Sequence, residues 1–383
     1  MSTVVIFGAG ATKACGGPLT NEILLQAYDP KVRQEIAKSG QQKLIQREGY
    51  ADILEEFLVE NFHLPKDSKK RKINDYPALP LLLSLIDTAI DRKQPMNQKW
   101  VSERLIDVDR ASGYFRQSLV HVREALEYII FAVLEYKLRS LENNYYLDLL
   151  NKLYKNIDEE PVIISLNYDI IADNALVRFS ENSENGRFPD YGCEIKTPAY
   201  QEPKGYFGKL LKLHGSLNWL YCPGCHRLDI GVSESGKKGT VKVLERLYQE
   251  SPLEPKYSCH GSPCPDCQVF VRPILITPTH RKDYRNPHVS QVWYQAEREL
   301  RQAKRAIFIG YSLPDDDVEV IYLLKRGLTR QNGSDAPEIT VVEYDKDRRN
   351  LKKHPVGARY RTLFGDKIKW FNDGFESYLK SLP

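Results

Sequence analysis

Val4-Val5-Ile6-Phe7-Gly8-Ala9-Gly10-Ala11-Thr12 is the stretch from which the fold can be read. Val4, Val5, Ile6 and Phe7 are β-branched or aromatic and predict a short buried strand. Glycines follow at once. A helix is then expected from Thr20, a good N-cap, through Asn21, Glu22, Ile23, Leu24 and Leu25. Glycine tolerates positive φ and lets backbone N–H groups come close to a pyrophosphate, toward which a following helix presents its positive end. As a dinucleotide fingerprint the turn is incomplete. Lys13 occupies the third glycine position, and no clear acidic residue closes a second strand about 20 residues on. Alone, such a turn can equally be a plain strand-to-helix corner.

A second apolar run, Pro161-Val162-Ile163-Ile164-Ser165-Leu166, ends on Asn167-Tyr168-Asp169. Further strands are expected over 209–213, 273–276, 306–309 and 339–342, and helices over 292–303 and 318–326. Strands alternating with helices predict a parallel sheet covered on both faces, an α/β fold. Two segments interrupt the alternation. Residues 31–158 read as helical, with Ile53, Leu54, Phe57 and Leu58, and then Leu119, Val122, Leu126, Ile129, Ile130, Val133 and Leu134, at helix spacing. Residues 222–268 are cysteine-rich. Residues 181–192 and 233–239 read as polar loops.

At 383 residues the chain exceeds the size at which one core usually stops growing, so more than one module is expected. Its 42% hydrophobic and 28% charged residues are those of a soluble globular protein. The longest apolar run, 79–83, is flanked or broken by Pro77 and Pro80 and is too short to span a bilayer. No signal peptide is expected. The net charge of +4 is small, and the basic run Lys66-Asp67-Ser68-Lys69-Lys70-Arg71-Lys72 lacks interleaved aromatics, so it reads as a solvated loop and direct nucleic-acid binding is not indicated.

Of seven cysteines, four form two pairs, Cys222-Pro-Gly-Cys225 and Cys264-Pro-Asp-Cys267. Each pair can turn two thiolates onto one ion, and two pairs complete a tetrahedral site with no open position, which points to structural Zn2+ rather than disulfides and to a reducing compartment, the cytoplasm. Cys259 and His260 are near enough in sequence to substitute as ligands, but simple loop placement is the favoured reading. Cys15 and Cys193 have no sequence partner, and Cys15 reads as a small packed residue.

Leu213-His214-Gly215-Ser216 follows an apolar strand end, as do Asn167, Asp169 and Gly310-Tyr311-Ser312. In an open α/β sheet such ends converge on one ligand crevice. His63, His121, His226, His280, His288 and His354 lack that context and read as structural. Asp315, Asp316 and Asp317 precede a helix and read as N-capping.

Taken in order, Gly8-Ala9-Gly10-Ala11-Thr12, Asn167-Tyr168-Asp169, His214-Gly215, the two cysteine pairs and Gly310-Tyr311-Ser312 resemble the sirtuin family, across nearly the whole chain apart from the helical insertion. The resemblance implies a Rossmann-like NAD-binding domain over 1–30, 159–221 and 269–383, a helical insertion over 31–158 and a zinc-binding module over 222–268. It implies that Gly8, Ala9, Gly10, Ala11 and Thr12 hold the pyrophosphate of NAD, with Thr20 beside them. Asn167 and Asp169 would face the nicotinamide ribose and carboxamide, and His214 would be the base acting on ribose hydroxyls. Gly310, Tyr311 and Ser312 would contact the adenosine side, with Glu343 at the adenosine ribose.

Two departures qualify the likeness. Deacetylating sirtuins carry a Pro-Asp-Phe-Arg segment after the glycine turn, where this chain has Gly16-Gly17-Pro18-Leu19-Thr20. After the zinc module they carry a Phe-Gly-Glu segment for the acyl-lysine peptide, where this chain has Ile276-Thr277-Pro278-Thr279-His280. A kept NAD pocket without the peptide strand resembles the bacterial antiviral (antiphage) branch, whose members hydrolyse NAD. Such proteins work beside a HerA-type ATPase, a short Argonaute or a nucleotide-binding sensor, so a separate partner is implied, and a homo-oligomer is the default assembly. The alternatives are an NAD-dependent protein deacylase and a non-catalytic NAD or ADP-ribose sensor.

Overall fold

The computed structural model describes residues 3–30, 32, 48–94, 96–97, 100–101, 117–138, 141, 143–156, 161–180, 188–198, 200, 208–231, 249–250, 259–260, 262–275, 286–329 and 336–383. The expected loop at 233–239, part of that at 181–192, and the segment Ile276 to His280 lie outside the described residues.

Six strands form a wholly parallel sheet: β1 (Thr3–Phe7), β2 (Val162–Ser165), β3 (Leu210–Lys212), β4 (Arg305–Ile309), β5 (Glu338–Val342) and β6 (Ile368–Phe371). Their spatial order is β3-β2-β1-β4-β5-β6. This is the doubly wound order, in which the connections reverse direction between β1 and β4 and a crevice opens beyond the strands' carboxyl ends. Phe7, Val5 and their neighbours are buried on both sides, as continuous apolar strands must be in a covered parallel sheet.

The covering helices can be assigned to faces from the rings. Phe7 meets Tyr146 at 4.2 Å and Phe375 at 6.1 Å. Phe308, in register with Ile6, meets Tyr360 at 5.0 Å and Phe364 at 6.0 Å. Ile6 and Phe7 point to opposite faces. Helices Tyr145–Asn156 and Gly374–Ser381 therefore cover one face, and helix Pro355–Phe364 the other.

A second apolar cluster joins helices Ile23–Ala27, Glu48–Phe62, Leu79–Arg92 and Leu119–Leu138 to Leu217, Leu220, Cys222, Cys264 and Val271. The helical block and the cysteine knuckles thus share one core. Helix Tyr145–Asn156 belongs instead to the core of the parallel sheet.

Several expectations are corrected. The first helix starts at Ala9, directly after Gly8, and runs to Ala14; Thr20 opens only a single 3-10 turn, Thr20–Glu22, before Ile23–Ala27. The strand expected at 273–276 is observed at Arg272–Leu275 and does not join the parallel sheet. It pairs antiparallel with Gly215–Tyr221, which in turn pairs with Leu228–Ile230. Within the basic run Lys66 to Lys72, Arg71 is buried, ion-paired to Glu55 at 2.6 Å and donating to the Pro65 carbonyl at 2.6 Å, while Lys66, Lys69 and Lys70 are exposed. No described helix is long and apolar enough to cross a membrane.

Candidate functional site

A cavity of about 480 Å3 lies beyond the carboxyl ends of the sheet. Four inter-strand steps of about 4.8 Å separate β3 from β5, so the ends of this cleft are roughly 19 Å apart. His214 stands at the β3 end and Glu343 at the β5 end. The predicted pocket residues all border the cavity except Ala11, which is buried beneath it.

In the middle, the turn after β1 and the turn after β4 interlock. Gly10 N–H donates to the Gly310 carbonyl at 2.8 Å. Gly310 has φ +62°, and a Cβ there would lie 2.2 Å from Ala11 N. A Cβ on Gly8 would lie 2.5 Å from Tyr311 Cα. Close crossing of two backbones therefore accounts for these glycines, and it happens at the switch point of the sheet. Lys13, in the position where the fingerprint would have glycine, reaches Glu22 at 2.8 Å. Glu22 also accepts from Leu19 N–H at 2.8 Å, which holds Leu19 and Thr20 at the cavity wall.

At the β2–β3 end, one chain of hydrogen bonds fixes three predicted residues. Asn167 Nδ2 donates to the Gly8 carbonyl at 2.9 Å and to Thr12 Oγ1 at 3.0 Å. Thr12 Oγ1 donates to Asp169 Oδ2 at 2.5 Å, and Asp169 Oδ1 accepts from Ile171 N–H at 3.0 Å. With both amide hydrogens of Asn167 committed, its Oδ1 is oriented as an acceptor. Burial raises the Asp169 carboxyl above its ordinary value, against Lys212, Thr12 and the Ile171 N–H, which lower it.

His214 Nδ1 is 3.1 Å from the Leu166 carbonyl oxygen. A carbonyl only accepts, so Nδ1 carries the proton, and in the neutral ring Nε2 holds the lone pair. That is the tautomer of a general base. The neighbouring turn is fixed by Trp293 Nε1, which donates to the Leu213 carbonyl at 2.8 Å, and by Gly215 at φ +77°, where a Cβ would lie 2.0 Å from the Ile274 carbonyl oxygen.

At the β4–β5 end, Tyr311 OH donates to Asp317 Oδ2 at 2.6 Å, and Arg359 donates to the Ser312 carbonyl at 3.0 and 2.7 Å. Asp317 stands at the N-cap position of helix Val318–Leu328, yet no side-chain capping bond forms there. The capping expected of it is replaced by the Tyr311 contact. Burial also raises the Glu343 carboxyl, against the Tyr344 N–H and Arg359.

Some bordering residues escaped the sequence reading. His354, read as structural, lines the β5 end of the cavity, where burial lowers its pKa. Only the topology, which returns helix Pro355–Phe364 to the cleft, brings it there. Leu79, Pro80 and Leu134 of the helical block also line the cavity. Lys212 does not line the cavity but is buried behind Asp169, and it had a signal: a charge inside the apolar run Leu210-Leu211-Lys212-Leu213.

The cysteine knuckles form a second, separate arrangement. The sulfurs of Cys222, Cys225, Cys264 and Cys267 all lie within 4.8 Å of one another. Two of the S···S distances are 3.3 Å (Cys222–Cys267) and 3.6 Å (Cys225–Cys264). A tetrahedral thiolate zinc has S···S edges of about 3.8 Å. The two turns match: His226 N–H donates to the Cys222 carbonyl and Gln268 N–H to that of Cys264, and both residues have positive φ, 62° and 64°. The four are positioned for a structural zinc ion. The backbone of Cys259 and His260 forms a two-residue antiparallel ribbon with Gln249 and Glu250.

No protein-family model matches the chain, and no curated protein matches it. Solved structures of Sir2 enzymes are similar to it. One, concerned with the mechanism and regulation of Sir2 enzymes, is 11% identical, over 100% of this chain and 91% of that one, with a TM-score of 0.38. A second, on sirtuin substrate affinity, is 14% identical over 99% and 92%, with a TM-score of 0.38. A third, Sir2 with an inhibitor, 2′-O-acetyl-ADP-ribose and a deacetylated peptide, is 15% identical over 62% and 69%, with a TM-score of 0.32.

Proposed function

We propose that the chain is a sirtuin-like NAD glycohydrolase, converting NAD and water to nicotinamide, ADP-ribose and a proton. The observation that carries this reading is the Nδ1–H bond of His214 to Leu166, which presents a basic Nε2 in the same cleft end as Asn167. Cleavage breaks the bond between ribose C1′ and the pyridinium nitrogen. Its electron pair neutralises the pyridinium, nicotinamide departs, and positive charge builds on the ribose as in other oxocarbenium-like transfers. Water then bonds to C1′ and passes its surplus proton to the ribose oxygen that His214 has deprotonated, so the proton taken by His214 is the one released. Asn167 Oδ1 would orient that water, Asp169 would hold the carboxamide side, and His214 Nε2 would take the proton of a ribose hydroxyl. A positioned base of this kind is worth about 10²–10⁴-fold in rate.

The glycine turn (Gly8, Ala9, Gly10 and Thr12, with Thr20) would face the pyrophosphate, and Gly310, Tyr311, Ser312 and Glu343 the adenosine half. The roughly 19 Å cleft suits two nucleosides joined end to end. Hydrolysis is favoured over protein deacylation by the sequence Gly16-Gly17-Pro18-Leu19-Thr20, whose last three residues line the wall where a deacetylating enzyme has a different segment. The physiological setting in this reading is antiphage NAD depletion in the bacterial cytoplasm, by an oligomer acting with a HerA-type ATPase or another sensor. The test is nicotinamide release from NAD with and without an acetyl-lysine peptide. Release that needs the peptide would replace this reading by the deacylase, and binding without release by the sensor.

A further inference from the structure

Lys212 is wholly buried, yet it carries a charge in an otherwise apolar strand end. Its ammonium donates to the backbone carbonyl of Asp169 and lies 3.3 Å from Asp173 Oδ2. Asp173 Oδ1 accepts the Tyr191 hydroxyl at 2.5 Å. Burying an ion pair is costly, and well-packed apolar residues of similar volume commonly replace one without loss of stability. Stability is thus a poor reason for Lys212 to be there.

The position offers a better one. Two residues on, His214 Nδ1 donates to the Leu166 carbonyl. Lys212 and His214 therefore grip both ends of the segment 166–169, and Asn167 and Asp169 lie between the grips. The other groups around Asp169 are Thr12 and Cys15 from the first turn, Tyr146 from helix Tyr145–Asn156, and Asp173 from helix Ile171–Ser180. Among these described groups Lys212 alone is a cation.

We propose that Lys212 is a positioning residue for glycosidic-bond cleavage: clamped between Asp173 and the Asp169 carbonyl, it holds Asn167 and Asp169 in register with His214. The proposal rests on the NAD-cleaving reading of the cavity, but the clamp itself can be tested without turnover.

The experiment uses the full, zinc-loaded chain and two variants, Lys212→Met and the charge-balanced Lys212→Met/Asp173→Asn. The double variant removes both members of the Lys212–Asp173 ion pair, while Asp169 keeps its bonds from Thr12 and the Ile171 N–H, so it should melt closer to wild type than Lys212→Met does. Two readouts are taken on each protein. The first is hydrogen exchange of the amides at 166–170. Faster exchange in the double variant, with the rest of the sheet unchanged, is expected; wild-type protection there would overturn the clamp. The second is the pH profile of nicotinamide release. The double variant should lose about 10- to 100-fold in kcat with KM little moved. In Lys212→Met the acid limb should move to higher pH, because the cation that lowers the Asp169 pKa is gone. A double variant with wild-type kcat would overturn the positioning role. A wild-type chain that releases no nicotinamide would defeat the parent reading, and hydrogen exchange would still decide the clamp.

Discussion

The Thr12 hydroxyl donates to the Asp169 carboxylate at 2.5 Å, tying the turn after β1 to the loop after β2. The same oxygen accepts from Asn167 Nδ2 at 3.0 Å. Thr12→Val keeps the shape and removes both bonds. The Asn167 amide would keep the Gly8 carbonyl and a 3.4 Å contact to the Tyr146 hydroxyl, and Asp169 would keep only the Ile171 N–H on its Oδ1, at a cost of about 1–3 kcal/mol of stability in urea denaturation. Nicotinamide release should fall with it. Thr12→Ser should restore both. Equal stability for Val and wild type would contradict the network.

Gly310→Ala tests the interlocked turns. The residue sits at φ +62°, and the new Cβ would lie 2.2 Å from Ala11 N, backbone that cannot swing aside. A loss of roughly 3 kcal/mol or more is expected, at the upper end of single substitutions. Gly16→Ala, also at positive φ but with open space around its Cβ, should cost less. Similar losses at the two positions would show that φ alone, and not the crossing, sets the requirement.

The sequence carried the parallel sheet and most of the cleft because strand ends are local signals. Val4 to Phe7 followed by Gly8, and Val162 to Ser165 followed by Asn167, announce both the strand and the residue that emerges from it. Pairing is not local. Arg272–Leu275 reads like the other strands, yet its partner is Gly215–Tyr221, and nothing in its alternation says so. His354 is remote from every motif and reaches the cleft only through the β5–β6 connection. Asp317 precedes a helix as a cap should, but Tyr311 supplies its hydrogen bond from six residues away.

Glu343 makes stability depend on pH in a definite direction. Burial raises its folded pKa above that of an ordinary glutamate. A carboxyl with a raised folded pKa favours folding while protonated, and that contribution is lost as pH rises through the folded value. Glu343→Gln should therefore stabilise the chain at pH 7.5 and have a smaller effect near pH 4, compared by denaturant midpoints. A larger gain at pH 4 would reverse the sign and contradict the burial argument.

The knuckles should hold one zinc per chain. Because Cys222 and Cys264 belong to the core shared with the helical block, loss of the ion should loosen the wall formed by Leu79, Pro80 and Leu134. Metal binding to such a site is folding energy. Cys264→Ser should lose the zinc in elemental analysis and lower Tm by on the order of 10 °C. A wild-type chain with no metal and an unchanged Tm for the variant would refute the site.

The most direct test of the whole account is mass spectrometry of NAD incubated with the purified chain, alone and with the protein encoded beside it, and without any acylated peptide. Nicotinamide and ADP-ribose are expected in equal amounts, and none from His214→Ala or Asn167→Ala variants that remain folded. Nicotinamide release at the wild-type rate by His214→Ala, or release only on adding an acyl-lysine peptide, would contradict it.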